Sequence, residues 1–270
     1  MKTVNLKLPF DEKDFLINGN ENDVSILCAI EYCNNNYEPH IMNLLKKIIY
    51  TDFICIDIGA NIGIISLVLG YLASQGKVYS FEPSMENYAF LLQNIKQNHI
   101  GNIEPIKLGI YDENKQVNFT HINEGSGWSF VNTENRKAEV KDIINLLPVY
   151  HSVHETINCI RLDDWIKFRK INKLDLIKLD VEGAEIKALT GATETMARFR
   201  PDLVIEINPH TLEKIFGEKT ENLYLLLKDL YTKIYCIHID NSLTEIHDFA
   251  HLLEVLAKGR GVEEFYCTIK

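Results

Sequence analysis

The sequence predicts an α/β fold, a doubly wound and mainly parallel sheet, and three observations carry that expectation. Short apolar, β-branched runs alternate with stretches of helical period along most of the 270 residues. One continuous segment, Phe53 to Pro83, has the order strand, glycine loop, helix, strand. Acids stand at or near the carboxyl ends of successive strands, at Asp57, Glu82, Asp112, Asp180 and Glu206. In open α/β sheets that is the edge where ligands collect.

Taken in order, Thr3 to Leu8 alternates apolar and polar residues as a strand does, and Phe15 to Ile17 offers it a partner. Asp23 or Ser25 is placed to cap a helix carrying Ile26, Leu27 and Ile30, and a second helix is expected from Pro39 to about Ile49. Residues 1–50 thus read as an N-terminal cap over the mouth of a core domain at 51–270. Phe53 to Ile58 suits a strand buried on both faces, and Lys77 to Phe81 follows the breaker Gly76 as its neighbour. Asn87 to Gln97 is amphipathic, and Ile103 to Ile110 is a third strand placed towards an edge by Pro105. Periodicity fails from about 121 to 160, which reads as a lid-like insertion facing substrate. Beyond it come a helix capped by Asp163, strands at Leu174 to Leu179 and Leu203 to Ile207, and a helix at Thr220 to Leu230. Strands at Ile234 to Ile239 and Glu264 to Ile269 close the chain.

Composition narrows the function. Net charge is −10, from 38 acids and 28 bases, and no basic run offers a nucleic-acid surface. No apolar run approaches the ~18 residues of a membrane span, and the first residues lack a signal-peptide core. The six cysteines show no CxxC spacing and read as small hydrophobes in a reducing, cytoplasmic setting.

The chemistry starts at Asp57-x-Gly59-x-x-x-Gly63. Glycine permits close approach of backbone to ligand, and a Cβ at Gly59 is expected to meet that ligand. Glu82, at the tip of the next strand, is placed to accept both hydroxyls of a ribose and would repel a 2′-phosphate. Asn61 stands where a dinucleotide fingerprint wants its second glycine, the one that makes room for pyrophosphate. S-adenosylmethionine therefore fits better than NAD. Asp57 either orders the loop or meets the ligand's ammonium group through water.

The succession YEPH (Tyr37 to His40), FICIDIGANIG, VYSFEPS, LDLIKLDVEGAEIKALTGA and PDLVIEI resembles the FkbM family of S-adenosylmethionine-dependent methyltransferases. It covers roughly Tyr37 to Asn208. The glycine loop is shared with many methyltransferases of class I, whereas the DVEGAE run after the fourth strand is more specific. The resemblance implies a Rossmann-like sheet of seven strands whose last strand is antiparallel. It also implies O-methylation of a hydroxyl on a sugar, glycolipid or other secondary metabolite, a small-molecule or glycan acceptor. Residues Gly59, Ala60, Asn61 and Gly63 would hold the methionine part, Glu82 the ribose, and Gly109 to Asp112 would border the adenine.

Methyl transfer to oxygen needs alignment and a base for the hydroxyl proton. Asp180 and Glu182 straddle a strand end and are the first candidates; the plainer alternative gives both a structural role, with Lys178–Asp180 a simple ion pair. Asp180, Glu206 and Asn208 offer oxygen ligands for a divalent ion, although acids at strand ends are common without one. His121, His151 and His154 in the insertion are further candidates for a base, with His151-x-x-His154 as half a metal site, and Trp128 for stacking on a sugar. An NAD-dependent oxidoreductase and a non-catalytic binding module of the same fold are the competing readings.

Overall fold

The computed structural model describes residues 1–132 and 151–270, without the side chains of Trp128 and Phe130. The chain opens with the strands β1 (Lys2–Lys7) and β2 (Asp14–Gly19) and the helices α1 (Leu27–Tyr32) and α2 (Pro39–Ile48). Next come β3 (Ile54–Ile58), α3 (Ile64–Leu72), β4 (Lys77–Phe81), α4 (Met85–Gln97) and β5 (Ile103–Ile106). A smaller group follows, β6 (Gly109–Ile110), β7 (Lys115–Ile122), β8 (Phe130–Val131) and β9 (Ser152–Ile160). Then come α5 (Leu162–Arg169), β10 (Leu176–Leu179), α6 (Glu185–Thr190), α7 (Thr193–Phe199) and β11 (Asp202–Ile207). The chain ends through α8 (Thr220–Leu230), β12 (Lys233–Ile237), β13 (Leu243–Glu245), α9 (Phe249–Lys258) and β14 (Glu263–Thr268).

The main sheet has the order β13-β12-β14-β11-β10-β3-β4-β5. From β5 to β11 neighbours are parallel, and β14 inserts antiparallel between β11 and β12. This is the expected doubly wound sheet of seven strands with its last strand reversed, plus β13, a three-residue edge strand paired with β12. Pro105 lies in β5, which pairs only with β4 among the described strands, so its missing N–H costs no ladder bond.

Alternation along the central strands sorts side chains to two cores. Ile56, Ile58, Ile177, Leu179, Leu203 and Ile205 pack with Trp165, Met196, Leu223 and Leu252 from the helices of the later half. Cys55, Leu176 and Val204 pack on the other face with the N-terminal strands, α1, α2 and α3. Residues 1–50 therefore share a core with the sheet. β2 is also bonded to α4: Leu16 N–H donates to Asn98 Oδ1 at 2.9 Å, and Asn18 N–H donates to Asn94 Oδ1 at 2.7 Å.

Two expectations change. The described parts of the segment 121–160, residues 121–132 and 151–160, are more regular than the sequence suggests, because β7 runs to Ile122 and β9 begins at Ser152, the two pairing antiparallel. The first half of β9 has no apolar alternation because Val153 and His154 are exposed; only Ile157 and Cys159 reach the core. Residues 133–150 of the lid-like insertion lie outside the described residues. Asp163 does not cap its own helix. It accepts from Thr195 N–H and Thr195 Oγ1 at 2.8 Å each, so it satisfies the first turn of α7 instead. No helix among the described residues is long and apolar enough to cross a membrane.

Candidate active site

The carboxyl ends of β3, β4, β10 and β11 border one cavity of about 280 Å³. Its wall runs from Leu108–Tyr111, Phe119 and Ile157 at one end, past Glu82 and Asp57–Ile62, to Lys178–Glu182, Glu206, Tyr37 and Glu38 at the other. Ser25 and Ile26 of the N-terminal segment and Ser126, Gly127 and Ser129 after β7 also line the cavity. These two pieces are joined: Val24 N–H donates to the Glu124 carbonyl at 2.8 Å, Gly127 N–H to Ser25 Oγ at 3.1 Å, and Ser126 Oγ bonds Asp23.

Glu82 is buried at the tip of β4, where one carboxylate oxygen accepts from Asn61 N–H and the other from Ser84 N–H, each at 2.8 Å. Each oxygen keeps a lone pair for a further donor. Burial pushes its carboxyl up to about 7 although both amides oppose the shift. Asp57 is buried too, its Oδ2 accepting from Ser66 Oγ at 2.6 Å, and burial lifts it to about 6. Asp57 therefore stands inside the turn as a hydrogen-bonded wall residue.

Gly59 and Gly63 both have left-handed dihedrals, φ +85° and +97°. Gly59 lines the cavity, but at both positions a Cβ would meet protein first. A Cβ on Gly59 would lie 1.8 Å from the carbonyl oxygen of Asp180, so this glycine lets the β3 turn pass the end of β10. A Cβ on Gly63 would lie 2.5 Å from Leu91 Cδ1, and Gly63 is absent from the cavity wall; it lets α3 close on α4. Ala60 and Asn61 do line the cavity, with Asn61 also left-handed at φ 50°. Asp112 does not. Its carboxylate is held 3.1 Å from Lys187, and only Gly109–Tyr111 of the expected adenine segment reach the wall.

The other end is more highly charged. Strand register sets Asp57 beside Lys178, Lys178 beside Val204, and Glu206 opposite Glu264, so that these side chains share one face. Lys178 is buried, with Nζ 3.2 Å from Asp180 Oδ2, which establishes the ion pair. Burial alone would lower its ammonium, but Asp180, Glu38, Glu206 and Glu264 raise it overall. Carboxylate oxygens of Asp180, Glu182 and Glu206 lie within 4.8 Å of one another. Burial and then Asp180 and Glu182 push Glu206 well above the ordinary carboxyl range, and burial with Glu264 raises Glu38. Asn208 is not part of this group, because its Oδ1 accepts from His210 N–H at 3.1 Å and Thr211 N–H at 3.3 Å. Any oxygen set for a divalent ion would thus be the three acids, with Lys178 already beside them as a cation.

The turn after β10 explains the DVEGAE run. Glu182 is left-handed at φ 54°, and the buried Glu185 reaches back so that Oε1 accepts from Gly183 N–H at 3.0 Å and Val181 N–H at 3.3 Å. Glu185, lifted to about 7 by burial, is the acid that builds the turn, and it leaves Asp180 and Glu182 facing the cavity.

None of the three histidines lines the cavity. His121 is buried with Nδ1 3.0 Å from Ser129 Oγ and Nε2 3.2 Å from Glu86 Oε2. His151 is exposed and bonds Glu124 at 2.7 Å, whereas His154 is 2.8 Å from Thr120 Oγ1. Residues three apart on an extended chain face opposite sides, so His151 and His154 make no shared metal site. The side chain of Trp128 lies outside the described residues.

Fold and cavity define a class, a doubly wound domain of the methyltransferase type with its ligand edge across β4, β3 and β10. The chain belongs to the methyltransferase FkbM domain family, whose sequence model matches residues 57–259. Methyltransferase 1 of Beauveria bassiana is 23% identical over 161 residues, covering 58% of this chain and 65% of that relative. The 2-O-methyltransferase NoeI of Sinorhizobium fredii is 27% identical over 168 residues, covering 59% of this chain and 64% of its own. The hexuronic acid methyltransferase AglP of Haloferax volcanii is 23% identical over 186 residues, 67% of this chain and 68% of that one. The chain thus spans just under two thirds of the length of the first two relatives.

Proposed function

We propose that this methyltransferase uses S-adenosylmethionine to methylate a hydroxyl group of a sugar, glycolipid or other secondary metabolite. The observation that carries the reading is Glu82, a buried carboxylate held by two backbone amides with acceptor capacity left over, in the same cavity as Asp180 and Glu182. Its neighbours fit the parts of the cofactor. Apolar Leu108, Ile110, Phe119 and Ile157 suit an adenine, Glu82 suits ribose hydroxyls, and the Asp57–Asn61 turn suits the amino-acid tail. Strands lie ~4.8 Å apart, so a ligand anchored at the tip of β4 reaches the end of β10, two strands away, over roughly 10 Å.

When bound, S-adenosylmethionine supplies a methyl group on a positively charged sulfur. The chain's task is to align an acceptor hydroxyl and take its proton. Asp180 carries that role best: Oδ2 rests on Lys178, which fixes the carboxylate, and Oδ1 remains to accept the proton. Glu182, on the same turn, is the second candidate. Support for oxygen as the acceptor atom comes from the Sinorhizobium relative, a 2-O-methyltransferase, and support for a sugar-type acceptor from the Haloferax relative, a hexuronic acid methyltransferase.

Thermal shift with S-adenosylhomocysteine and with NAD⁺ tests the cofactor, and transfer of labelled methyl to glycan and lipid-linked sugar acceptors tests the reaction. Stabilisation by S-adenosylhomocysteine alone, with label in an ether linkage, is expected. Stabilisation by NAD⁺ alone overturns the reading.

A further inference from the structure

Two residues of the run Tyr37–His40 form part of the cavity wall. We infer that Tyr37 and Glu38 form the acceptor side of the active site and select an uncharged polyhydroxyl group, a neutral sugar, against one carrying a carboxylate or phosphate. The inference rests on the methyl-transfer reading above and adds the substrate's charge class to it.

Placement comes first. Glu38 precedes α2 in a left-handed conformation, φ 42° and ψ 51°, which residues with a Cβ seldom adopt. Pro39, in the first turn, continues the helix, and the Glu38 carbonyl accepts from Ile41 N–H at 3.0 Å and Met42 N–H at 3.2 Å. His40, one turn in, is buried with Nε2 3.3 Å from Glu264 Oε2, and Glu264 also accepts from Arg260 at 3.0 Å. The helix start is therefore tied to β14, and the residues before it are presented to the cavity from a fixed base.

Availability comes second. Neither the Tyr37 hydroxyl nor the Glu38 carboxyl hydrogen-bonds or ion-pairs with any described residue, although both side chains border the cavity. Among the other acids at hand, Asp57 has Ser66, Glu82 has two amides, Asp180 has Lys178 and Glu264 has His40, whereas Glu206 faces the cavity crowded by Asp180 and Glu182. Burial and the acids around it keep the Tyr37 phenol protonated. Tyr37 thus supplies a donor and Glu38 an acceptor, the pair that a hydroxyl group, itself donor and acceptor, satisfies.

Charge comes third. Glu38, Asp180, Glu182 and Glu206 all border this end, and Lys178 is the one basic residue among the described residues lining the cavity. A carboxylate or phosphate on the acceptor would meet this excess of acids in a partly desolvated space, whereas neutral hydroxyls find acceptors there. The competing assignment gives Glu38 to the ammonium group of the cofactor, and the test separates the two.

The full chain, as wild type, Glu38→Gln and Tyr37→Phe, is titrated with S-adenosylhomocysteine by calorimetry. Each form is then given labelled S-adenosylmethionine on an array of neutral glycans and of glycans bearing uronate or phosphate. Melting temperature checks that each variant is folded. The expected wild type labels neutral glycans at least tenfold more than acidic ones. Glu38→Gln should bind S-adenosylhomocysteine within twofold of wild type, lose about tenfold in labelling of neutral glycans, and narrow the gap to acidic ones; Tyr37→Phe should lose roughly threefold. Preferential labelling of acidic glycans overturns the inference and leaves methyl transfer standing. A tenfold loss of S-adenosylhomocysteine affinity in Glu38→Gln also overturns it, by assigning the residue to the cofactor. Absence of label on every glycan overturns the sugar-directed reading itself, and this inference with it.

Discussion

The two ends of the cavity hold their acids in opposite ways. At the β3–β4 end Asp57 and Glu82 sit apart, each carboxylate satisfied by donors built into the fold, a serine hydroxyl for one and two backbone amides for the other. At the β10–β11 end Asp180, Glu182 and Glu206 crowd within 4.8 Å, with Glu38 and Glu264 nearby and Lys178 as the buried counter-charge. The first arrangement resembles a receptor complete before its ligand arrives. The second brings acids so close that burial, Asp180 and Glu182 hold Glu206 well above the ordinary carboxyl range, an environment suited to proton transfer.

The sharpest way to break that contrast is to remove basicity from the crowded end. Asp180→Asn should lower turnover about 10²–10⁴-fold, with Glu182→Gln the parallel test, while S-adenosylhomocysteine affinity stays within a few-fold. Single-turnover rates and calorimetry on the same preparations check it. A role in binding a metal would show instead as EDTA sensitivity of the wild type.

The seam between the two ends is next in size. Gly59→Ala places a Cβ against the Asp180 carbonyl at a residue with φ +85°, so the turn and the end of β10 cannot both keep their positions. Loss of at least ~2 kcal/mol of stability is expected, together with weaker cofactor binding. Gly101→Ala, where a Cβ meets nothing within 4 Å, is the matched control and should melt close to wild type.

How far the sequence reaches differs between the ends for the same physical reason. Asp57, Glu82 and the turn between them lie within thirty residues on consecutive strands, so local pattern alone places them together. At the crowded end Asp180, Glu182 and Glu206 are legible as strand-end acids, but Glu264 and Glu38 join them through the pairing of β11 with β14 and the start of α2, segments whose adjacency no local pattern encodes. Glu38 and Glu264 are consequently illegible as site residues. Asp112 misleads because its partner, Lys187, comes from a distant helix. The glycines are legible as necessary, but what each avoids depends on tertiary neighbours, Asp180 for Gly59 and Leu91 for Gly63. Helix α9 carries a readable signal, Asp248 accepting from His251 N–H at its start and Leu252 and Leu256 on one face, which the sequence reading passes over.

A smaller effect sharpens the comparison through pH. Glu206 is held above its ordinary carboxyl value in the folded chain by burial and by Asp180 and Glu182. It therefore binds its proton more firmly folded than unfolded; this contribution is full below the ordinary carboxyl range and is lost as pH rises from that range through the raised folded value. Glu206→Gln should gain in melting temperature relative to wild type as pH is raised from 5 to 8. Equal melting points at both values would remove the repulsion from the account.

The central claim is that the quieter end is a preformed nucleoside receptor centred on Glu82, and calorimetric titration of S-adenosylhomocysteine into wild type and Glu82→Ala tests it most directly. Removing a charged acceptor that serves ribose hydroxyls should cost about 1.5–3 kcal/mol per bond, so affinity should fall at least tenfold at pH 8, with the fold retained by circular dichroism. Wild-type affinity should itself weaken as pH drops below about 7, where the Glu82 carboxyl takes up its proton. An unchanged dissociation constant in folded Glu82→Ala would contradict the account.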